Sequence, residues 1–211
     1  IFVNYTQFFV DGIYNQFFSG SRINTAIDIG ANVGLFTEWV LDRFGNDTRI
    51  IAVEPNSKAC LSFESMHSGK ENVTLDKLAV TSTDGETIKL MINPKNTLIS
   101  SIEGTGDGYS DSEEIQTISL RGILKKYNLE EVDLLKVDVE GAEYDIFSSV
   151  DGEVFRKFKH LLIEFHNSQG RAPALISKIV SAGFEIDLRD DDTRYLVDQN
   201  SDRGTIFATR K

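Results

Sequence analysis

The segment Asp28-Ile29-Gly30-Ala31-Asn32-Val33-Gly34 constrains this chain more than any other, because it sets two glycines between an apolar run and the start of a helical pattern. The run from Asn24 to Ile29 reads as a strand. Beyond it, Val33, Leu35, Phe36, Trp39, Val40 and Phe44 are spaced to form one apolar helix face, which Gly45-Asn46 brings to a stop. Glycine lets a backbone turn sharply and approach a ligand closely, and the N–H groups at a helix start are open to that ligand. A strand that passes through such a turn directly into a helix opens an α/β fold that cradles a small molecule.

The same alternation recurs from residue 23 onward. Strands are predicted at about 24–29, 49–53, 74–79, 133–138, 160–165, 184–188 and 204–209, with helices between them, as in a Rossmann-like, mostly parallel sheet covered on both faces. The later helices are expected from Ser57 to His67, from Ala142 through Ile146, Phe147 and Val150, and from Pro173 to Ala182 before Gly183. The stretch 84–117 breaks the rhythm. Thr87 to Ile92 alternates like a strand, and Asn93-Pro94 and a Gly/Ser/Asp-rich segment from Ser100 to Ser112 follow it. It reads as an inserted hairpin whose loop faces the substrate. Residues 1–22 carry Phe2, Tyr5, Phe8, Phe9, Ile13, Tyr14, Phe17 and Phe18 at helical spacing and are expected to pack on a single domain over 23–211.

Charge and composition narrow the partners. The 211 residues carry a net charge of -11, so the mean field repels phosphate backbones and anionic lipid, and nucleic acid is not an expected partner. The short basic stretches Lys125-Lys126 and Arg156 to His160 read as solvated faces. Cys60, the single cysteine, offers neither a disulfide nor a zinc cluster. No apolar run approaches the ~20 residues of a membrane span, and no signal-peptide pattern opens the sequence, so a cytoplasmic location is expected.

Glu54, with Pro55 after it, follows the second strand by one position and Gly34 by twenty, the separation at which an acid accepts ribose hydroxyls. NAD and S-adenosylmethionine both need that acid. A dinucleotide turn reads G-x-G-x-x-G, and here Asp28 stands in place of its first glycine. A carboxylate there repels a pyrophosphate and suits a ligand with a cationic amino-acid group, which favours S-adenosylmethionine. The domain is also short for a separate substrate lobe.

Two later strands end in chemistry-bearing groups. Leu134-Leu135-Lys136-Val137-Asp138-Val139-Glu140-Gly141 ends in an acid-x-acid pair, whose spacing turns both carboxylates to one side if the strand continues that far. Leu161-Leu162-Ile163-Glu164-Phe165-His166 ends in acid-x-His. Ligands of open α/β sheets bind beyond the carboxyl ends of the strands, so both clusters are expected beside Asp28 and Glu54. No metal is expected, although Asp138 and Glu164 carry the hard oxygen ligands a divalent cation would need.

In their order, Asp-Ile-Gly-Ala-Asn-Val-Gly, Glu-Pro-Asn, Leu-Lys-Val-Asp-Val-Glu-Gly-Ala-Glu and Glu-Phe-His make the chain resemble the FkbM family of methyltransferases over roughly residues 23–188. The resemblance implies a seven-stranded sheet with the last strand antiparallel, and S-adenosylmethionine-dependent methylation of hydroxyls on sugars or macrolide-like products. It implies that Asp28, Gly30, Asn32 and Gly34 surround the methionine portion of the cofactor, that Glu54 holds its ribose and that Ala79 lies near adenine. It also implies that Asp138, Glu140, Glu164 and His166 line the transfer site and that Ser100 and Ser101 touch the substrate.

The expected activity is O-methylation of a small-molecule hydroxyl, with His166 or Asp138 removing the proton and Glu164 beside them. A nicotinamide-dependent oxidoreductase built on the same turn and a non-catalytic adenosyl-binding module are the rival readings.

Overall fold

The computed structural model describes residues 14–15, 17–18, 20–92, 100–101, 111–166, 168–189 and 201–210. In chain order the elements are β1 (Thr25–Ile29), α1 (Leu35–Phe44), β2 (Arg49–Val53), α2 (Ser57–Met66), β3 (Val73–Asp76), β4 (Ala79–Val80), β5 (Thr87–Ile92), β6 (Ser100–Ser101) and β7 (Asp111–Ile118). They continue with α3 (Leu120–Lys126), β8 (Val132–Asp138), α4 (Glu143–Ser148), α5 (Gly152–Phe155), β9 (Phe158–Phe165), α6 (Ala172–Ser181), β10 (Phe184–Arg189) and β11 (Gly204–Arg210).

Seven strands form one sheet in the order β10-β11-β9-β8-β1-β2-β3. All neighbours are parallel except β11, which runs antiparallel to both β9 and β10. Alternate residues of each central strand serve opposite faces. Ala26, Ile50, Leu134, Leu162 and Phe207 pack with Phe36, Trp39 and Val40 of α1. Ile27, Ile51, Leu135, Leu161 and Ile206 pack on the other side with Ile123, Phe147 and Ile179. Both faces are covered, so the strands read as nearly continuous apolar runs instead of alternating ones. The strand order reverses at β1, which pairs β2 on one side and β8 on the other. A crevice opens at such a reversal, beyond the carboxyl ends of the strands.

A second sheet, β4-β7-β5-β6, stands beside the first. β5 pairs antiparallel with β7 from Thr87↔Gln116 to Ile92↔Asp111, and β4 runs parallel to β7. The strand predicted at 74–79 is thereby split: β3 ends at Asp76, and Ala79–Val80 pairs with Thr117–Ile118 of the second sheet. The helix predicted from Ala142 ends at Ser148, short of the buried Val150.

Of the N-terminal aromatic residues, Tyr14 and Phe18 are buried among Phe36, Trp39 and Phe207, and Phe17 stacks on Phe207. Phe2, Tyr5, Phe8, Phe9 and Ile13 lie outside the described residues, as do Asn93-Pro94 and most of the loop between Ser100 and Ser112. Among the described residues no helix is long and apolar enough to cross a membrane.

Candidate active site

The turn after β1 is built from backbone. The N–H groups of Gly30 and Ala31 both donate to the Val53 carbonyl, which ties the turn to the end of β2. Gly30 has φ 73° and Gly34 φ 94°, both in the left-handed region. A Cβ at Gly30 would run into the Asp138 carbonyl oxygen, and one at Gly34 into the His67 and Phe63 rings. Neither position has room for a side chain, so the glycines are required by packing as well as by φ. Asn32 occupies the same left-handed region at φ 51°, which asparagine tolerates better than most residues.

Asp28 is fully buried beneath this turn. Its Oδ2 accepts from Thr37 Oγ1 of α1 at 2.8 Å, and its Oδ1 lies 3.3 Å from Lys136 Nζ. Lys136, inside the apolar run of β8, also donates to the Gly30 carbonyl at 2.9 Å and lies 3.6 Å from Asp138. Burial works against its charge, but the attraction of Asp28, Asp138 and Glu164 outweighs it and raises its pKa. The lysine is therefore a fixed cation linking the ends of β1 and β8. Sequence reading passed over it; a lysine in the middle of a buried strand, which needs anionic partners, was the available signal.

Glu54 sits just past β2, nearly buried. One oxygen accepts from the Asn32 N–H at 2.9 Å and the other from the Asn56 N–H at 2.8 Å. Burial raises its pKa, and those two N–H donors oppose the rise. Asn56 in turn caps α2, accepting from Lys58 and Ala59. Glu54 is thus locked to the turn it faces. Beside it, Asn32 Oδ1 is buried with no hydrogen-bond partner among the described residues. Ala79 is buried in β4. Ser100 and Ser101 form β6 against Ile92 and Met91, and their side chains are outside the described part.

The ends of β8 and β9 meet in register, Asp138 opposite Glu164. Here the structure corrects one expectation: β8 stops at Asp138, and Glu140 and Gly141 take φ 54° and φ 111°, so the strand does not continue through the acid-x-acid pair. The reversal still gathers the groups. Asp138, Glu140 and His166 bring one ligand atom each to within 4.8 Å of one another. Glu143, the first residue of α4 and fully buried, accepts from the N–H groups of Val139 and Gly141 and holds His166 Nδ1 at 3.0 Å. Burial opposes the charged imidazole, but the Glu143 hydrogen bond and the charges of Asp138, Glu143 and Glu140 raise it to about 9.

Glu164 bonds the hydroxyl of Tyr14, across 150 residues of sequence. Burial pushes the Glu164 carboxyl up to about 7, with the Asp138 charge adding to the rise. Burial likewise raises the Tyr14 phenol well above its ordinary value. Tyr14 and Glu143 were also missed by sequence reading. Glu143 lay inside a recognised motif without a role, and nothing local to Tyr14 points to a partner so distant.

Comparison with known proteins gives the family and the fold. Residues 28–186 match the methyltransferase FkbM domain. Methyltransferase sdnD of Sordaria araneosa is 26% identical over 76% of this chain and 73% of its own length. AmbE, the AMB antimetabolite synthetase of Pseudomonas aeruginosa, is 24% identical over 98% of this chain, which spans only 11% of that protein. Among solved structures, methyltransferase FkbM from Methylobacillus flagellatus superposes with a TM-score of 0.56 at 15% identity, over 88% of this chain and 43% of that one. SMU.1697c from Streptococcus mutans, solved in complex with SAH, gives 0.56 at 11% identity over 95% and 97% of the two chains. At such identities the superpositions speak for the fold, a seven-stranded, mostly parallel Rossmann-like sheet. The family match, covering most of the chain together with the site just described, shows that this protein belongs to the FkbM family of methyltransferases.

Proposed function

We propose that the chain is an O-methyltransferase that uses S-adenosylmethionine and acts on a hydroxyl of a sugar-like or natural-product-like small molecule. The observation that carries the cofactor assignment is the turn after β1: two glycines with no room for a side chain, Glu54 locked to it, and Asn32 Oδ1 buried without a partner. An adenosyl amino acid carries hydroxyl and ammonium donors for the Glu54 carboxylate and for the unpartnered Asn32 Oδ1. In this reading Gly30, Asn32 and Gly34, with Asp28 beneath them, surround the methionine portion. Glu54 and Pro55 meet the ribose, and Ala79 lies toward adenine. When bound, the cofactor supplies a sulfonium methyl for the acceptor oxygen.

The rest falls to the chain's own residues. Asp138, Glu140, Glu164 and His166 line the acceptor side, with Ser100 and Ser101 at its edge. Transfer requires the acceptor hydroxyl to be aligned with the methyl and to lose its proton. Among these side chains Asp138 lies near Lys136 and His166 is paired with Glu143, whereas Glu164 meets only the neutral Tyr14 hydroxyl and has no ion pair among the described residues. Glu164 is therefore the carboxylate placed to take the proton, ahead of His166 and Asp138. AmbE, an antimetabolite synthetase by name, is a relative that supports a small natural-product acceptor.

The test is transfer of labelled methyl from S-adenosylmethionine to a panel of hydroxylated sugars, hydroxy acids and polyketide-like alcohols. The expected product is a methyl ether; label found only on nitrogen or carbon would refute the O-methylation reading.

A further inference from the structure

Asp138, Glu140 and His166 form more than an acidic patch, because the imidazole among them is oriented from behind. Glu143, with no exposed side-chain surface, holds His166 Nδ1 at 3.0 Å. A carboxylate that accepts from one ring nitrogen orients the imidazole, and metal-ligating histidines are held in this way, the ion taking the place of the proton on the other nitrogen. The second oxygen of that carboxylate, Oε2, is shut off from solvent and has no hydrogen-bond partner among the described residues. It is an unsatisfied buried acceptor on the same carboxylate that holds His166.

The charges point the same way. Asp138, Glu140, Glu143 and Glu164 converge where β8 and β9 end. The lysine that reaches Asp138 at 3.6 Å is shared with Asp28 at 3.3 Å. Asp138, Glu140 and Glu164 are half-buried, and carboxylates gathered this closely favour a cation among them. Two carboxylates and an imidazole, one ligand atom each within 4.8 Å of the others, are a mixed oxygen and nitrogen set of the kind that manganese, iron and zinc accept.

We propose that Asp138, Glu140 and His166 bind a divalent metal ion, with Glu143 as the outer carboxylate that orients His166, and that the ion's open positions take oxygens of the methyl acceptor. The acceptor class that fits is one with two neighbouring oxygens, a vicinal diol or an α-hydroxy acid. A hydroxyl bound to such an ion loses its proton more readily. That proton passes to Glu164, the O–CH3 bond forms as the S–CH3 bond breaks, and the products are the methyl ether and S-adenosylhomocysteine. The ion's part in transfer rests on the methyltransferase reading above; its binding does not.

Binding is therefore tested without any acceptor. The full chain, freed of metal by a chelator and held at fixed ionic strength, is titrated with manganese followed by electron paramagnetic resonance, and in a parallel series with zinc against a chromophoric chelator. One equivalent is expected to bind at least one of the two. Asp138→Asn, Glu140→Gln and His166→Ala should each weaken it tenfold or more, and Glu143→Gln about 10- to 100-fold. Circular dichroism checks each variant's fold, and His166→Asn replaces His166→Ala if the latter does not fold. Neither ion binding stoichiometrically, or binding that is equal in parent and variants, would overturn the site. S-adenosylhomocysteine binding, measured on the same samples, separates the two ideas. An ion bound without the nucleoside leaves the site and removes the methyltransferase reading, and the reverse removes only the site.

Discussion

Lys136 shows at the scale of one residue how the site is held together. It is buried in β8 within reach of both Asp28 and Asp138, and it donates to the Gly30 carbonyl of the turn after β1. Removing one partner of a buried ion pair costs more than the pair contributes, because the other charge remains. Lys136→Met should destabilise the chain by about 3–5 kcal/mol, measured by urea denaturation. Adding Asp28→Asn should recover part of the loss, since the stranded charge is then gone. At this scale the sequence was informative wherever a residue's environment is local. Gly30, Gly34 and Glu54 follow from spacing along one strand–turn–helix unit. Tyr14 on Glu164 and Glu143 on His166 are contacts made by folding, and spacing along the chain carries no trace of them.

Among the elements, α2 connects the turn after β1 to pH. Its C-cap residue His67 lies under Gly34, with its ring against Phe63 and its Nδ1 on the Phe63 carbonyl. Burial lowers its pKa below the ordinary 6.5, with the Lys70 charge adding to this, and the Phe63 carbonyl and the Glu38 carboxylate 3.4 Å away oppose it only in part. The folded state therefore binds this proton less readily than the unfolded chain does. The stability His67 contributes is complete above about pH 6.5 and is lost as pH falls toward and through its lowered value. Between pH 7 and 5 the melting temperature of the parent should fall relative to that of His67→Phe, whatever the opposite contribution of the raised Glu164 carboxyl common to both; an unchanged difference would exclude His67 as a source. Element boundaries were legible where a pattern is long. α1, α2 and α6, with ten residues each, have enough turns to show their period. α3 and α5, with seven and four residues, were missed, whereas α4, with six, was marked by Ile146, Phe147 and Val150. The split between β3 and β4 is a matter of partners: Ala79–Val80 is apolar enough for the main sheet and pairs instead with β7.

For the whole molecule, the alternation of apolar runs and helical periods announced a parallel sheet, and the reversal of strand order at β1 opens a crevice beyond its strand ends, where we place the ligand. The turn, Glu54 and the proposed acceptor-side residues Asp138, Glu140, Glu164 and His166 lie at the carboxyl ends of β1, β2, β8 and β9 or just beyond them, and Ala79, Ser100 and Ser101 belong to the second sheet. What the sequence left open is the second sheet's role and the acceptor, because side-chain pattern in an insert carries no code for what it touches. The central claim is that the turn after β1 and Glu54 bind an adenosyl amino acid. Calorimetric titration of the full chain with S-adenosylhomocysteine and, separately, with NAD tests it most directly. One-to-one binding of S-adenosylhomocysteine is predicted, weakened at least about tenfold, or ~1.4 kcal/mol, by Glu54→Gln. Binding of NAD with no response to S-adenosylhomocysteine would contradict it.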